Sequence, residues 1–294
     1  MKHLIISTGI FLLLCSCDRF GKEDTKGDHK ERIVCISKQY SEYIYALGAE
    51  KDIVAVDISS VYPAEVKKLP TVGYHRALSL EGIMAASPTL ILHEGRKSLG
   101  PDHVVTQLEQ LKIPMKTFHA KSGDIDGAKE LLREMGTYFH KEKKADSLCA
   151  KLDMEMKTAL DKAKEYKDKP RVLVIHFGQA KNIYMVMTKK GGPVAKMIEW
   201  AGGEMALQDT SNMKQMSAEF VTKSDPDVIL LTEYGYDRLG SPEKIKELPG
   251  VSLTKAFKSN RVYRIEAHDL IYLGPRTGEN TLKLQTLIHK NGAE

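Results

Sequence analysis

The chain has 294 residues, is 42% hydrophobic and 28% charged, and carries a net charge of +5. These are the proportions of a soluble globular protein with room for two ordinary domains. Positive and negative residues are interspersed, and no dense Lys/Arg stripe with aromatics between appears. The composition therefore carries no nucleic-acid footprint, although a mildly basic surface suits an anionic ligand.

Lys2 and His3 precede an apolar run from Leu4 to Leu14, too short to span a bilayer and readable as the core of a signal peptide. The run ends in Leu14-Cys15-Ser16-Cys17. A small residue just before a Cys resembles the bacterial lipobox, which implies cleavage before Cys17 and acylation of its thiol. A plain secretory signal is the alternative. Asp18 to Glu31 is charged and poor in apolar residues, so 18–31 is expected to be a flexible tether after the 1–17 signal segment. Cleavage at Cys17 leaves Cys35 and Cys149, which have no metal-ligand spacing. Free buried thiols are the default for them, with a disulfide as the alternative.

The folded part begins near Arg32. Strands are predicted at Ile33 to Ile36, Ile53 to Val56 and Thr89 to Leu92, with helices at Ser41 to Leu47, Leu80 to Ala86 and Val104 to Leu111. This alternation favours a largely parallel sheet. Helices follow at Ile125 to Phe139 and Lys141 to Tyr166. In the second, Ala145, Leu148, Leu152, Met156, Ala159, Leu160 and Ala163 mark one face of a helix about 40 Å long, enough to reach across two lobes. A coiled-coil dimer is the rival reading of that stripe. Beyond it come a strand from Arg171, a helix near Lys196, a helix over Ala218 to Lys223 and a strand over Val228 to Leu231. A last strand at Arg261 to Ile265 and a last helix at Glu279 to His289 complete the order.

Ser-x-Glu, six residues, then Pro-x-x-Ile-Leu occurs twice: at Ser79-Leu80-Glu81 with Pro88 and Ile91-Leu92, and at Ser217-Ala218-Glu219 with Pro226 and Ile229-Leu230. A repeat at this distance implies two similar lobes with a working cleft between them. The expected fold class is α/β, two Rossmann-like lobes with mainly parallel sheets (32–140 and 168–294) joined by one long α-helix (141–167).

The segment Val72-Gly73-Tyr74-His75-Arg76, followed by Leu80-Glu81-Gly82, is similar to the haem-binding branch of the helix-linked substrate-binding proteins of bacterial ABC importers. Ser41-Glu42, Asp225-Pro226-Asp227-Val228-Ile229, Leu248-Pro249-Gly250 and Leu273-Gly274-Pro275-Arg276-Thr277 extend the resemblance over nearly all of Arg32 to Leu287. The resemblance implies that Tyr74 is the axial ligand of haem iron and that Arg76 hydrogen-bonds its phenolate. Hard ferric iron favours an anionic oxygen, which makes that chemistry sound. A loop tyrosine packing on the cleft wall is the plainer reading. His75 is the neighbouring candidate, and His176, after the second lobe's first strand, is a candidate second axial ligand or the ligand of a second haem. A histidine hydrogen-bonded at a strand end is equally compatible there. His93 and His268 also occupy strand-end positions.

Candidates for the apolar slot are Met185, Met187, Tyr234, Tyr236 and Tyr272. Candidates for the propionates are Arg96, Lys97, Arg238 and Arg276. The resemblance further implies that Glu81 and Glu219 dock on the permease. Each also favours its helix N-terminus through the dipole. The expected function is capture of haem and delivery to a permease and ATPase complex in the inner membrane, by a monomer that faces the periplasm on a lipid anchor and turns nothing over. A ferric-siderophore or cobalamin carrier of the same fold is the alternative. An enzyme of this architecture would need a Cys cluster, a phosphate-binding loop or a nucleophile motif, and none is present.

Overall fold

A computed structural model describes residues 31–74, 77–178 and 182–290. The signal segment, most of the tether, Cys17, His75 and Arg76 lie outside the described residues.

In the first lobe β1 (Ile33–Ile36) leads into α1 (Lys38–Leu47), and β2 (Ile53–Val56) leads into a short antiparallel pair, β3 (Gly73–Tyr74) and β4 (Ala77–Leu78). Then follow α2 (Leu80–Ala85), β5 (Leu90–His93), α3 (Asp102–Gln110), β6 (Met115–Lys116) and α4 (Ile125–Tyr138). The sheet order is β2-β1-β5-β6 and every pair is parallel. All four residues of β1 are fully buried, and successive ones feed opposite cores: Ile33 and Cys35 pack towards α1 and α4, Val34 and Ile36 towards α2 and α3. That is the signature of a parallel sheet covered on both faces.

Helix α5 (Glu142–Ala163) has 22 residues and so runs about 33 Å. Its buried residues Ala145, Cys149, Leu152, Met156 and Ala159 form the expected stripe. It packs on α1 and α4 of the first lobe and, further on, on α6 (Pro193–Trp200) and α11 (Thr277–Ile288) of the second. It ends three residues before the expected Tyr166, whose ring stacks face to face on His289 at 3.5 Å between centroids. Cys35 and Cys149 are both buried and free.

The second lobe contains β7 (Arg171–Gly178), β8 (Ile183–Met187), β9 (Glu204–Met205), β10 (Met213–Gln215), α7 (Ala218–Ser224) and β11 (Val228–Thr232). It continues with α8 (Glu233–Leu239), α9 (Lys255–Lys258), β12 (Val262–Ile265), α10 (Ala267–Ile271) and α11 (Thr277–Ile288). Its order is β10-β8-β7-β11-β12, with β9 also on β7. Parallel pairing links β7, β9, β11 and β12, whereas β8 and β10 add an antiparallel edge. That edge was not anticipated as strand, because the apolar run Ile-Tyr-Met-Val-Met has no alternation to mark it.

Two caps explain the serines of the repeat. Ser79 Oγ accepts from Gly82 N at 3.0 Å and Ser217 Oγ from Phe220 N at 3.2 Å, starting α2 and α7 one residue later. Ser37 does the same for α1, accepting from Tyr40 N at 3.0 Å. The helix therefore begins at Lys38, three residues ahead of the expected Ser41.

The contact between α5 and α11 requires a glycine. A Cβ on Gly278 would stand 2.3 Å from Glu155 Cβ. Gly278→Val is expected to destabilise the protein by about 1–3 kcal/mol through overpacking, read as a lowered denaturation midpoint with an unchanged denaturant slope.

Candidate functional site

The carboxyl ends of the parallel strands bring the chemistry together, as they do in open α/β sheets generally. From the first lobe come Ser37 and Lys38 after β1, Asp57 after β2, and His93 and Glu94 at the end of β5. From the second come His176 on β7, and Thr232 and Glu233 at the junction of β11 and α8.

The β3–β4 pair is tied to the end of β2: Val72 N donates to Val56 O and Ile58 N to Gly73 O, both at 2.9 Å. Gly73 has φ +91°, and a Cβ there would lie 2.8 Å from Ala77 O, so the close pairing of the two strands needs a glycine. Tyr74 follows directly, opposite Ala77, with 39% of its surface exposed. This exposure is the observation that separates it from Tyr40 and Tyr43, which are buried in the core.

His176 is half-buried. Its Nδ1 lies 3.0 Å from Thr232 Oγ1, while Nε2 makes no hydrogen bond among the described residues. Burial, then the charge of Lys38, push its pKa below the ordinary histidine value and favour the uncharged ring. Lys38 reaches across the cleft, its ammonium 4.5 Å from the centroid of the Tyr272 ring. Burial lowers its pKa, opposed by the charges of Asp57, Glu233 and Glu94.

The floor between the lobes is an ionic cluster. Glu42, on α1 and 5% exposed, bonds His268 on α10 and accepts from Arg276 Nε at 2.9 Å. Arg276 also pairs with Asp269 at 2.9 Å and lies 3.5 Å over the Tyr62 ring. His268 stacks on Tyr62 and lies tilted against Tyr272. Tyr43 Oη and Gln39 Nε2 donate to Leu273 O at 2.9 and 3.1 Å. Burial alone would raise the Glu42 carboxyl, but the bond and charge of His268 and the Arg276 guanidinium hold it below the usual carboxylate range. Beside this floor is a cavity of about 260 Å³ bounded by Gln39, Glu94, Ser122 and Tyr272. That is just under the roughly 300–1,000 Å³ usual for small-molecule sites.

The remaining candidates are placed as follows. Arg96 pairs with Glu109 at 2.5 Å, Lys97 is exposed, and Arg238 lies over the Phe177 ring at 4.6 Å. Met187 is buried in the second lobe, Tyr236 packs half-buried against its core, and Tyr234 is exposed. Met185 stands opposite His176 in the β7–β8 register. His93 is buried and its Nδ1 accepts from Gly95 N at 3.1 Å, a loop-closing role. Glu81 and Glu219 are both exposed, each the second residue of its helix. Lys38, Tyr62 and Thr232 stand in no sequence motif. Glu42 appears within the Ser41-Glu42 motif, and a glutamate amid Tyr40, Tyr43 and Ile44 signals a buried charge that must be paired.

Residues 33–268 match the family model described as periplasmic binding protein. The chain belongs to that family. Members of the family are periplasmic solute-binding proteins. The ABC transporter substrate-binding lipoprotein YvrC of Bacillus subtilis is 28% identical over 277 residues, 92% of this chain and 84% of the relative. The vitamin B12-binding protein of Pectobacterium atrosepticum is 28% identical over 207 residues, 68% of this chain and 71% of the relative. Among solved structures, the periplasmic heme-binding protein RhuT from Roseiflexus sp. RS-1 superposes with a TM-score of 0.79 at 29% identity, covering 90% of this chain and 99% of that one. HutB of Vibrio cholerae, also a periplasmic heme-binding protein, gives 0.73 at 26%, covering 89% and 100%. Among the described residues of this periplasmic binding protein, no helix is long and apolar enough to cross a membrane.

The depressed Glu42 carboxyl gives a pH prediction. A lowered folded pKa stabilises the fold fully above the unfolded value of about 4.3 and is lost as pH falls through the folded value. Glu42→Gln is therefore expected to cost about 3–5 kcal/mol at pH 7, where it leaves Arg276 and His268 short of a partner. Thermal melts of both proteins from pH 7 to 3 should show the difference shrinking on the acid side.

Proposed function

We propose that this protein is the substrate-binding lipoprotein of an ABC importer and that it captures haem in the cleft between its lobes, with the Tyr74 phenolate on the iron. The supporting observation is Tyr74 itself: a half-exposed tyrosine beside the carboxyl end of β2, carried by a strand pair that only a glycine permits. The match to heme-binding proteins over about nine-tenths of the chain supports the same reading. Ferric iron displaces the phenol proton and is held by a hard anionic oxygen. Arg76, two residues on, is the proposed donor to the phenolate. The neutral His176 ring, its Nδ1 engaged by Thr232, offers Nε2 from the opposite lobe as a second ligand in preference to His75. Tyr62 and Tyr272, engaged by Arg276, His268 and Lys38, wall the floor of that cleft. Arg276 already holds Glu42 and Asp269, so its proposed part is to shape the floor.

In this reading residues 1–17 are the signal with acylated Cys17, 18–31 the tether, and 32–140 and 168–294 the lobes about the helix 141–167. Glu81 and Glu219, exposed at matching helix starts in the two lobes, dock on cations of the permease. Exposed charges of this kind govern encounter and orientation more than affinity. The vitamin B12-binding relatives support a second reading, a corrinoid carrier, in which Tyr74 packs on the ligand and coordinates nothing.

Hemin titration of the domain from Lys22 should be saturable, with a phenolate-to-iron charge-transfer absorption that disappears in Tyr74→Ala together with about tenfold or more of the affinity. Saturable cobalamin binding without hemin binding would select the second reading. Glu81→Lys with Glu219→Lys should reduce hemin uptake by cells about tenfold or more while leaving hemin affinity unchanged. Uptake that survives the double reversal contradicts the docking role.

A further inference from the structure

We infer that Lys38 is the cation that receives an anionic group of the ligand, an assignment that rests on reading the cleft as a haem site. Lys38 is the first residue of α1, and the Ser37 cap fixes it at the carboxyl end of β1. Its ammonium crosses to the second lobe, 4.5 Å from the Tyr272 ring centroid, and its charge is felt at His176. It therefore stands between the two lobes.

Four other cations were candidates for the propionates, and their surroundings differ. Arg96 is held by Glu109, Arg276 by Glu42 and Asp269, Arg238 rests exposed on Phe177, and Lys97 is exposed. Lys38 is half-buried, yet among the described residues no carboxylate lies within 4 Å of its ammonium. Three acids surround it at greater distance, and each has a donor nearer home. Asp57 accepts from Ser60 Oγ at 2.7 Å, Glu94 from the Ser37 hydroxyl, and Glu233 from Ala267 N at 2.6 Å. A partly desolvated ammonium without a bonded counter-charge is costly, and a ligand carboxylate removes that cost. The charges of Asp57, Glu233 and Glu94 oppose the burial that lowers the lysine's pKa.

Hemin and hemin dimethyl ester, in which both propionates are neutral, separate this role from general packing. Lys38→Met should weaken hemin binding by about 10- to 100-fold and leave the ester unaffected, and Lys38→Arg should restore hemin binding. Lys38→Gln, which keeps a polar stem at the first helical position, should show the same ratio, with melts confirming the fold of each. Equal losses for hemin and ester, or no loss for hemin in Lys38→Met, overturn the assignment while the haem reading stands, provided Tyr74→Phe still abolishes the charge-transfer absorption. Absence of saturable hemin binding by the wild type overturns both.

Discussion

Glu42 ties the two sheets together across the cleft floor. A carboxylate this deeply buried is tolerable only with partners, and both of them, His268 and Arg276, come from the other lobe. The cluster therefore fixes how α10 and the start of α11 sit against α1. It sets Tyr272 opposite Lys38, Arg276 over Tyr62 and Leu273 O within reach of Tyr43. Helix α5 supports the same arrangement from behind, packed on helices of both lobes. A cleft held on two sides is pre-organised, which limits what ordering the ligand must impose.

The duplicated unit and the features that break it have different uses. Ser79 and Ser217 cap equivalent helices, which leaves Glu81 and Glu219 exposed at equivalent places. What precedes the two caps differs. In the first lobe it is the Gly73–Tyr74 strand and its partner; in the second it is the antiparallel β10 on β8. Symmetry places an exposed glutamate at the start of a helix in each lobe, and asymmetry places a tyrosine strand in one lobe and a histidine-bearing strand in the other.

The lobes, the joining helix and most element bounds were legible because β1, β5 and β11 are continuous apolar runs and α5 carries a clear stripe. Tyr74, Glu81 and Glu219 stand out through motif and repeat, and all three are exposed. The strand β8 was not, since an unalternating Ile-Tyr-Met-Val-Met run states no register until β7 supplies one. Lys38 was missed because a lysine at a helix start is usually solvated, and only the opposing lobe makes this one half-buried. Arg276 was identified as a ligand contact, but Glu42 and Asp269, 234 and 7 residues away along the chain, already hold it. Pairings between lobes are tertiary facts that no local pattern encodes.

The central claim is that this cleft binds haem through Tyr74. A crystal structure of the hemin complex tests it most directly. The account predicts electron density for a macrocycle between the lobes with the Tyr74 phenolate oxygen bonded to iron. Iron bound by another residue with Tyr74 turned away, or hemin seated outside the cleft, would contradict it.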